Sequence, residues 1–166
     1  RKAASKIEDS WSRHPHPDFL DVYWPAKRIT EPMAKVRAAQ RLAKFNPDHP
    51  ESHMAVARAA LDGSLWGEAR KHLEGLVGET TTRRVYAMLA ELEESEHQDL
   101  ARAREWLMRA SRAGPDPAWV CESCGNTVSE WQALCGNCAG FGSYQWKTPP
   151  HVARLEHLQG PGKAVL

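Results

Sequence analysis

The chain has 166 residues, 26% of them charged, with a formal net charge of +1 and eleven prolines. That length suits one ordinary domain, or one domain with a small appendage. The near-neutral balance argues against a general polyanion binder. No run of eighteen or more apolar residues occurs, which excludes a membrane-spanning helix within these residues, and no secretory signal is visible. The chain begins at Arg1, so a piece of a longer protein is expected.

Taken in order, Ala3, Ala4, Ile7 and Trp11 share one face of a helix within residues 1–14. His14-Pro15-His16-Pro17 breaks it. Asp18 to Pro25 is aromatic-rich and reads as two helical turns ending before Pro25, followed by a loop over 26–32. Helical periodicity is strong from Met33 to Asn46, where Met33, Val36, Ala39 and Ala43 recur on one side. Further helices are expected over Glu51–Leu61, Leu65–Val77, Arg83–Ser95 and Leu100–Ala113, separated by Asp62-Gly63-Ser64, Gly78-Glu79-Thr80 and a short polar break, and closed by Gly114-Pro115.

These helices repeat. Ala69 and Leu73 match Ala103 and Leu107 at an offset of 34 residues. That is the period of the tetratricopeptide repeat, a helix–turn–helix unit that buries its apolar face only by stacking on its neighbours. The clear repeats are 50–83 and 84–117, with a degenerate one at about 16–49. Ala57, Ala69 and Ala103 are expected where paired helices approach closely, and Leu73 and Leu107 in the gaps between neighbours. The array is assigned to residues 1–116. Its concave surface is expected to bind a protein partner through Met54, Arg58, Leu61, Val85, Met88 and Leu92. These residues equally suit packing against neighbouring helices.

The four cysteines lie together: Cys121 and Cys124, ten residues, then Cys135 and Cys138. Two thiolates on each tight turn direct four sulfurs at one ion, in the tetrahedral arrangement that zinc takes in structural sites. Gly125 directly follows the first pair and suits a left-handed backbone there. Four thiolates also hold iron in rubredoxins; zinc is preferred as the commoner use of a short ribbon, with iron as the alternative. Residues 117–147 are therefore read as a small β metal unit, a zinc ribbon or rubredoxin-like knuckle pair. Trp119, Trp131, Phe141, Tyr144 and Trp146 are expected to form its miniature core. A unit this small needs metal ligation to fold. Residues 148–166 are a tail in which His151 to Gln159 suits one short helix. The fold class is thus an all-α tetratricopeptide-repeat solenoid with a C-terminal β metal unit.

Residues 118–146 contain no Lys or Arg, while Glu122 and Glu130 are acidic, which argues against a nucleic-acid-binding ribbon. A closed tetrathiolate leaves no position for a catalytic water, and no hydrolase or P-loop motif is present, so an enzyme is not expected. The histidines read as loop and surface residues, with His49 and His53 separated by the turn at Pro50.

The combination resembles the HemY-like family of alphaproteobacteria, inner-membrane tetratricopeptide proteins associated with haem biosynthesis. The matching stretches include His14-Pro15-His16-Pro17-Asp18, Asn46-Pro47-Asp48-His49-Pro50-Glu51-Ser52, Leu65-Trp66-Gly67-Glu68-Ala69-Arg70 and Asp116-Pro117-Ala118-Trp119-Val120. LapB, a membrane-anchored regulator of lipopolysaccharide synthesis, shares the architecture and cysteine spacing. Cys135-Gly136-Asn137-Cys138-Ala139 departs from the Cys-Pro-x-Cys-Gly of many rubredoxin-like units. The resemblance implies a non-catalytic scaffold on the cytoplasmic face of the inner membrane, anchored through an N-terminal segment outside this chain, with protein partners there. It also implies a link to haem biosynthesis without marking a haem-binding residue. An iron-tetrathiolate redox sensor or electron-transfer module is the remaining alternative.

Overall fold

A computed structural model describes residues 2–149. The described chain is mostly helical and forms two compact units that divide after Gly114. The first carries seven helices: α1 (Lys2–Trp11), α2 (Phe19–Lys27), α3 (Pro32–Ala43), α4 (Pro50–Asp62), α5 (Trp66–Glu74), α6 (Arg83–His97) and α7 (Leu100–Arg112). The second carries β1 (Ala118–Cys121), β2 (Thr127–Val128) and β3 (Tyr144–Lys147). The short helix expected over 151–159 lies outside the described residues.

Local chemistry explains several helix ends. Pro32 and Pro50 occupy first-turn positions, where a missing N–H costs nothing. His49 caps α4 by accepting the Glu51 N–H on Nδ1 at 3.1 Å, and Asp99 caps α7 by accepting the Arg102 N–H at 3.0 Å. Helix α2 departs from expectation. It runs through Pro25 and ends at Arg28, whose φ is +56° and whose N–H bonds to the Pro25 carbonyl. Pro25 lies in the last turn of a nine-residue helix, so its ring removes one hydrogen bond without interrupting a longer ladder.

The helices pack as sequence neighbours: α1 on α2, α3 on α4, α4 on α5, α5 on α6 and α6 on α7. α5 and α7 begin 34 residues apart, at Trp66 and Leu100. One cluster joins α3 to α6 through Val36, Ala57, Ala60, Ala69, Leu73, Leu89 and Leu92, all almost fully buried. Ala57 and Ala69 lie where the sequence places close helix contacts. Leu73 fills the core as expected, but Leu107 does not: it is exposed, with Leu100 and Met108, on the last helix of the unit.

A second cluster fastens α1 and α2 to α3 and α4 through Ile7, Trp11, Tyr23, Leu42 and Ala55. Trp11 is fully buried and donates its indole N–H to the Ser52 hydroxyl at 2.9 Å. Trp11→Phe is expected to cost about 2–3 kcal/mol, from lost volume and from an unpaired buried hydroxyl. Denaturant unfolding checks this, and Ser52→Ala in the Trp11→Phe background is expected to recover part of the loss.

Candidate metal centre and helical groove

In the second unit β1 is the central strand, antiparallel to both neighbours in the order β2-β1-β3. Its register pairs Trp119 with Val128 on one side, and Trp119 with Trp146 and Cys121 with Tyr144 on the other. The sheet delivers Cys121 at the end of β1, and the turn after it carries Cys124. A second turn of the same build carries Cys135 and Cys138.

The two turns match bond for bond. The Gly125 N–H donates to the Cys121 carbonyl at 2.9 Å, and the Ala139 N–H donates to the Cys135 carbonyl at 2.8 Å. Cys121 N–H donates to the Asn126 carbonyl, and Cys135 N–H to the Gly140 carbonyl. Both turns need a left-handed residue just after the second cysteine, Gly125 at φ +74° and Ala139 at φ +57°. The first position follows the expected glycine. The second holds an alanine in a conformation that disfavours a Cβ. Gly140 is required for space instead: a Cβ there would meet Ser143 Oγ at 2.9 Å and Cys138 Sγ at 3.4 Å.

All four sulfurs lie within 4.8 Å of one another. Cys121 Sγ is 3.7 Å from Cys138 Sγ, and Cys124 Sγ is 3.6 Å from Cys135 Sγ. A tetrahedral ion with metal–sulfur bonds of about 2.3 Å sets its sulfurs about 3.8 Å apart, whereas a disulfide needs about 2.05 Å. The donor set therefore fits one tetrahedral metal ion and does not fit a pair of disulfides.

Neighbouring donors support thiolates. The Tyr144 hydroxyl lies 3.5 Å from Cys135 Sγ and holds that thiol down at about 5, helped by backbone N–H groups. Ser143 Oγ, 3.2 Å from Cys121 Sγ, lowers that thiol in the same sense. Asn126 braces Tyr144 by donating to its hydroxyl at 2.9 Å. Cys138 is the strained member. The Gly140 N–H favours its thiolate, yet the sulfurs of Cys124, Cys121 and Cys135 push it up to about 12. Four thiolates so close repel one another, and a bound cation removes that penalty.

The aromatic residues divide. Tyr144 is buried with Cys121 and Cys135, and Trp119 and Val128 pack against them. Trp119 and Trp146 meet edge to face at 5.4 Å. Trp131 and Phe141, expected in the core, are instead exposed, Phe141 by 82%. Leu134 and Phe141 are joined by a backbone bridge in the second turn, and both side chains are exposed.

The helical unit contains a groove of about 540 Å³, lined by α2, α3, α4 and α6 and by the turn before α2. Of the residues expected on a concave surface, Met54, Arg58 and Met88 line it. Leu61, Val85 and Leu92 do not. Like Met54 and Met88 they are buried in the helical core, but they do not face the groove. Leu20, Asp21, Trp24 and Lys35 line the groove and were not read from the sequence, because they lie on α2 and α3, ahead of the two clear repeats. Arg58 spans the groove wall, bonded to Asp62 at 3.0 Å and to Glu91 at 2.7 Å. Arg84 pairs with Glu51 and lies 3.2 Å from the Met54 sulfur.

The histidines correct the surface reading. His16 is buried, His49 caps α4, and His53 and His72, from successive helices, meet at 3.0 Å between their Nδ1 atoms. Their separation of nineteen residues carries no local sequence signal.

Fold and site define a protein of packed helical hairpins joined to a four-cysteine unit arranged to hold one metal ion. The chain is 32% identical over 146 residues to the probable magnetosome protein Mms48 of Magnetospirillum gryphiswaldense, a match that covers 87% of this chain and 32% of that protein. The chain thus spans about a third of that relative's length. No family model matches the chain, and no solved structure matches it. Among the described residues no helix is long and apolar enough to cross a membrane.

Proposed function

We propose that the chain is a non-catalytic scaffold: a tetratricopeptide-type array that binds a protein partner in its groove, joined to a structural zinc tetrathiolate unit. The observation that carries this reading is the groove itself. It has an apolar floor at Met54, Ala55 and Met88, and a charged rim of Asp18, Asp21, Lys35 and Arg58. The 34-residue spacing of α5 and α7 and the packing of helices on sequence neighbours favour the repeat assignment. Four thiolates around zinc complete its tetrahedron, so the ion holds β1 and the two turns together and offers no site to a substrate.

The setting at an inner membrane, on its cytoplasmic face, with partners from haem biosynthesis, rests on the resemblance to HemY-like proteins. A LapB-like adaptor of lipopolysaccharide synthesis has the same architecture. The relative named as a probable magnetosome protein is compatible with a scaffold serving a membrane-associated assembly.

A photo-crosslinking residue at Leu20 or Asp21, inside the groove, tests the scaffold reading in cells of the source organism. The expected result is a discrete crosslinked protein absent when the crosslinker is at Lys71 on α5. Equal crosslinking from both positions, or none from the groove, contradicts it.

A further inference from the structure

The His53–His72 pair has a fixed polarity. Glu68 accepts the Gln40 amide at 2.8 Å, which holds its carboxyl below the usual range, so at neutral pH it is an acceptor only. His72 Nε2 lies 3.3 Å from the same carboxylate oxygen and must be the donor. Burial keeps His72 below its ordinary value, so the ring is neutral at pH 7. A neutral ring with its proton on Nε2 presents a lone pair at Nδ1, and that lone pair faces His53 Nδ1 at 3.0 Å. Two lone pairs do not meet at that distance, so the gap holds either the Nδ1–H of His53, as an ordinary hydrogen bond, or a metal ion.

The spacing can be compared with two ligand geometries. With metal–imidazole bonds of about 2.0–2.1 Å, tetrahedral angles separate two nitrogens by about 3.3–3.4 Å, and right angles by about 2.8–3.0 Å. The observed 3.0 Å is an ordinary hydrogen-bond length and is also compatible with the second range. The rings are tilted by 55° with centroids 5.1 Å apart, so each ring has to turn before both lone pairs converge on one ion. Glu68 stands where a carboxylate orients a ligating imidazole through its far nitrogen. The His72 side chain is 18% exposed, which leaves water access for the other coordination positions.

We propose that His53 and His72 form a site for a divalent transition metal with right-angled ligand geometry, of the nickel(II) or copper(II) class. Both imidazoles bind through Nδ1, and Glu68 positions His72. With Nδ1 of each ring on the metal, the ring hydrogen of each imidazole sits on Nε2. The site consists of helical-unit residues and is independent of the ion held by the four cysteines.

Nickel(II) titration of untagged, zinc-saturated protein by calorimetry tests this. One nickel per chain is expected, with affinity at least about tenfold weaker in His53→Ala and His72→Ala, and about tenfold weaker in Glu68→Gln. His14→Ala is expected to leave it unchanged. Circular dichroism verifies folding, and His53→Gln replaces His53→Ala if that variant unfolds. Paramagnetic broadening centred on residues 53 and 72 gives a second readout in the wild-type protein. Equal nickel binding in wild type and the His53 and His72 variants overturns the proposal, as does an absence of binding, which would leave the pair as hydrogen-bonded imidazoles only.

Discussion

Glu93→Ala is expected to destabilise the helical unit by about 3 kcal/mol, lowering its melting temperature by about 10 °C or more. Glu93 is fully buried on α6 and accepts two bonds from the Arg70 guanidinium, at 2.8 and 3.3 Å, with Arg102 at 3.8 Å. Arg70 also holds Glu96 at 2.6 Å, so one guanidinium ties α5 to two carboxylates of α6. Removing Glu93 leaves Arg70, with only about a quarter of its side chain exposed, short of its best-buried partner. Arg70 is partly reached by water, so the lower end of the buried-pair range applies. Glu93→Leu combined with Arg70→Met is expected to restore much of the loss, since an apolar pair removes both charges. Thermal unfolding followed at the helical circular dichroism signal measures each variant.

The same pair sets a pH dependence. The Arg70 bonds outweigh burial and hold the Glu93 carboxyl below its ordinary 4.5. A carboxyl depressed in the folded state contributes stability that is fully present above the unfolded value and is lost as pH falls through the folded one. Wild-type stability is therefore expected to drop below about pH 4.5 more steeply than that of Glu93→Leu/Arg70→Met. Parallel acid profiles for the two proteins would contradict this assignment.

Cys124→Ser is expected to abolish stoichiometric metal retention and to unfold the turns around the site. Structural zinc contributes about 10–16 kcal/mol to small zinc units, most of their folding free energy. The buried apolar content here is small: Tyr144, Val120 and two cysteines are buried, with Trp119 and Val128 packed against the site. Amide exchange at Cys121, Gly125, Cys135 and Ala139, whose N–H groups build the two turns, is expected to accelerate to that of an unfolded segment. Tyr144→Phe, which keeps the ring and removes the donor to Cys135, is expected to weaken metal binding without abolishing it. Full metal retention and unchanged exchange in Cys124→Ser would refute the site.

Helix positions were legible because each segment keeps apolar residues at helical spacing between Pro, Gly and Asp breaks. The cysteine pairs were legible because their spacing alone brings four sulfurs together. The groove was only partly legible. Helix α4 is buried over most of its circumference, from Glu51 and Ser52 through Leu61, so periodicity cannot separate its groove side from its core side. Leu61 was thereby assigned to a surface it does not line, as were Val85 and Leu92 on α6. Trp131 and Phe141 misled for a different reason. Aromatic residues suggest a core, but a metal unit fixed by its ion does not need to bury all of them. The Arg70–Glu93 and His53–His72 contacts join residues 23 and 19 positions apart on different helices. No local pattern encodes such pairs, and only the packed hairpins bring them together.

On the proposed reading, one structural ion organises the four-cysteine unit. Elemental analysis of the purified protein, with a visible absorption spectrum of the same sample, tests it most directly. One zinc per chain at the four cysteines and no colour is the expected result. One iron per chain with thiolate-to-iron charge-transfer bands would replace the structural reading with a redox one. Metal-free protein with four titratable thiols, or with two disulfides, would rule out a structural ion at the four cysteines.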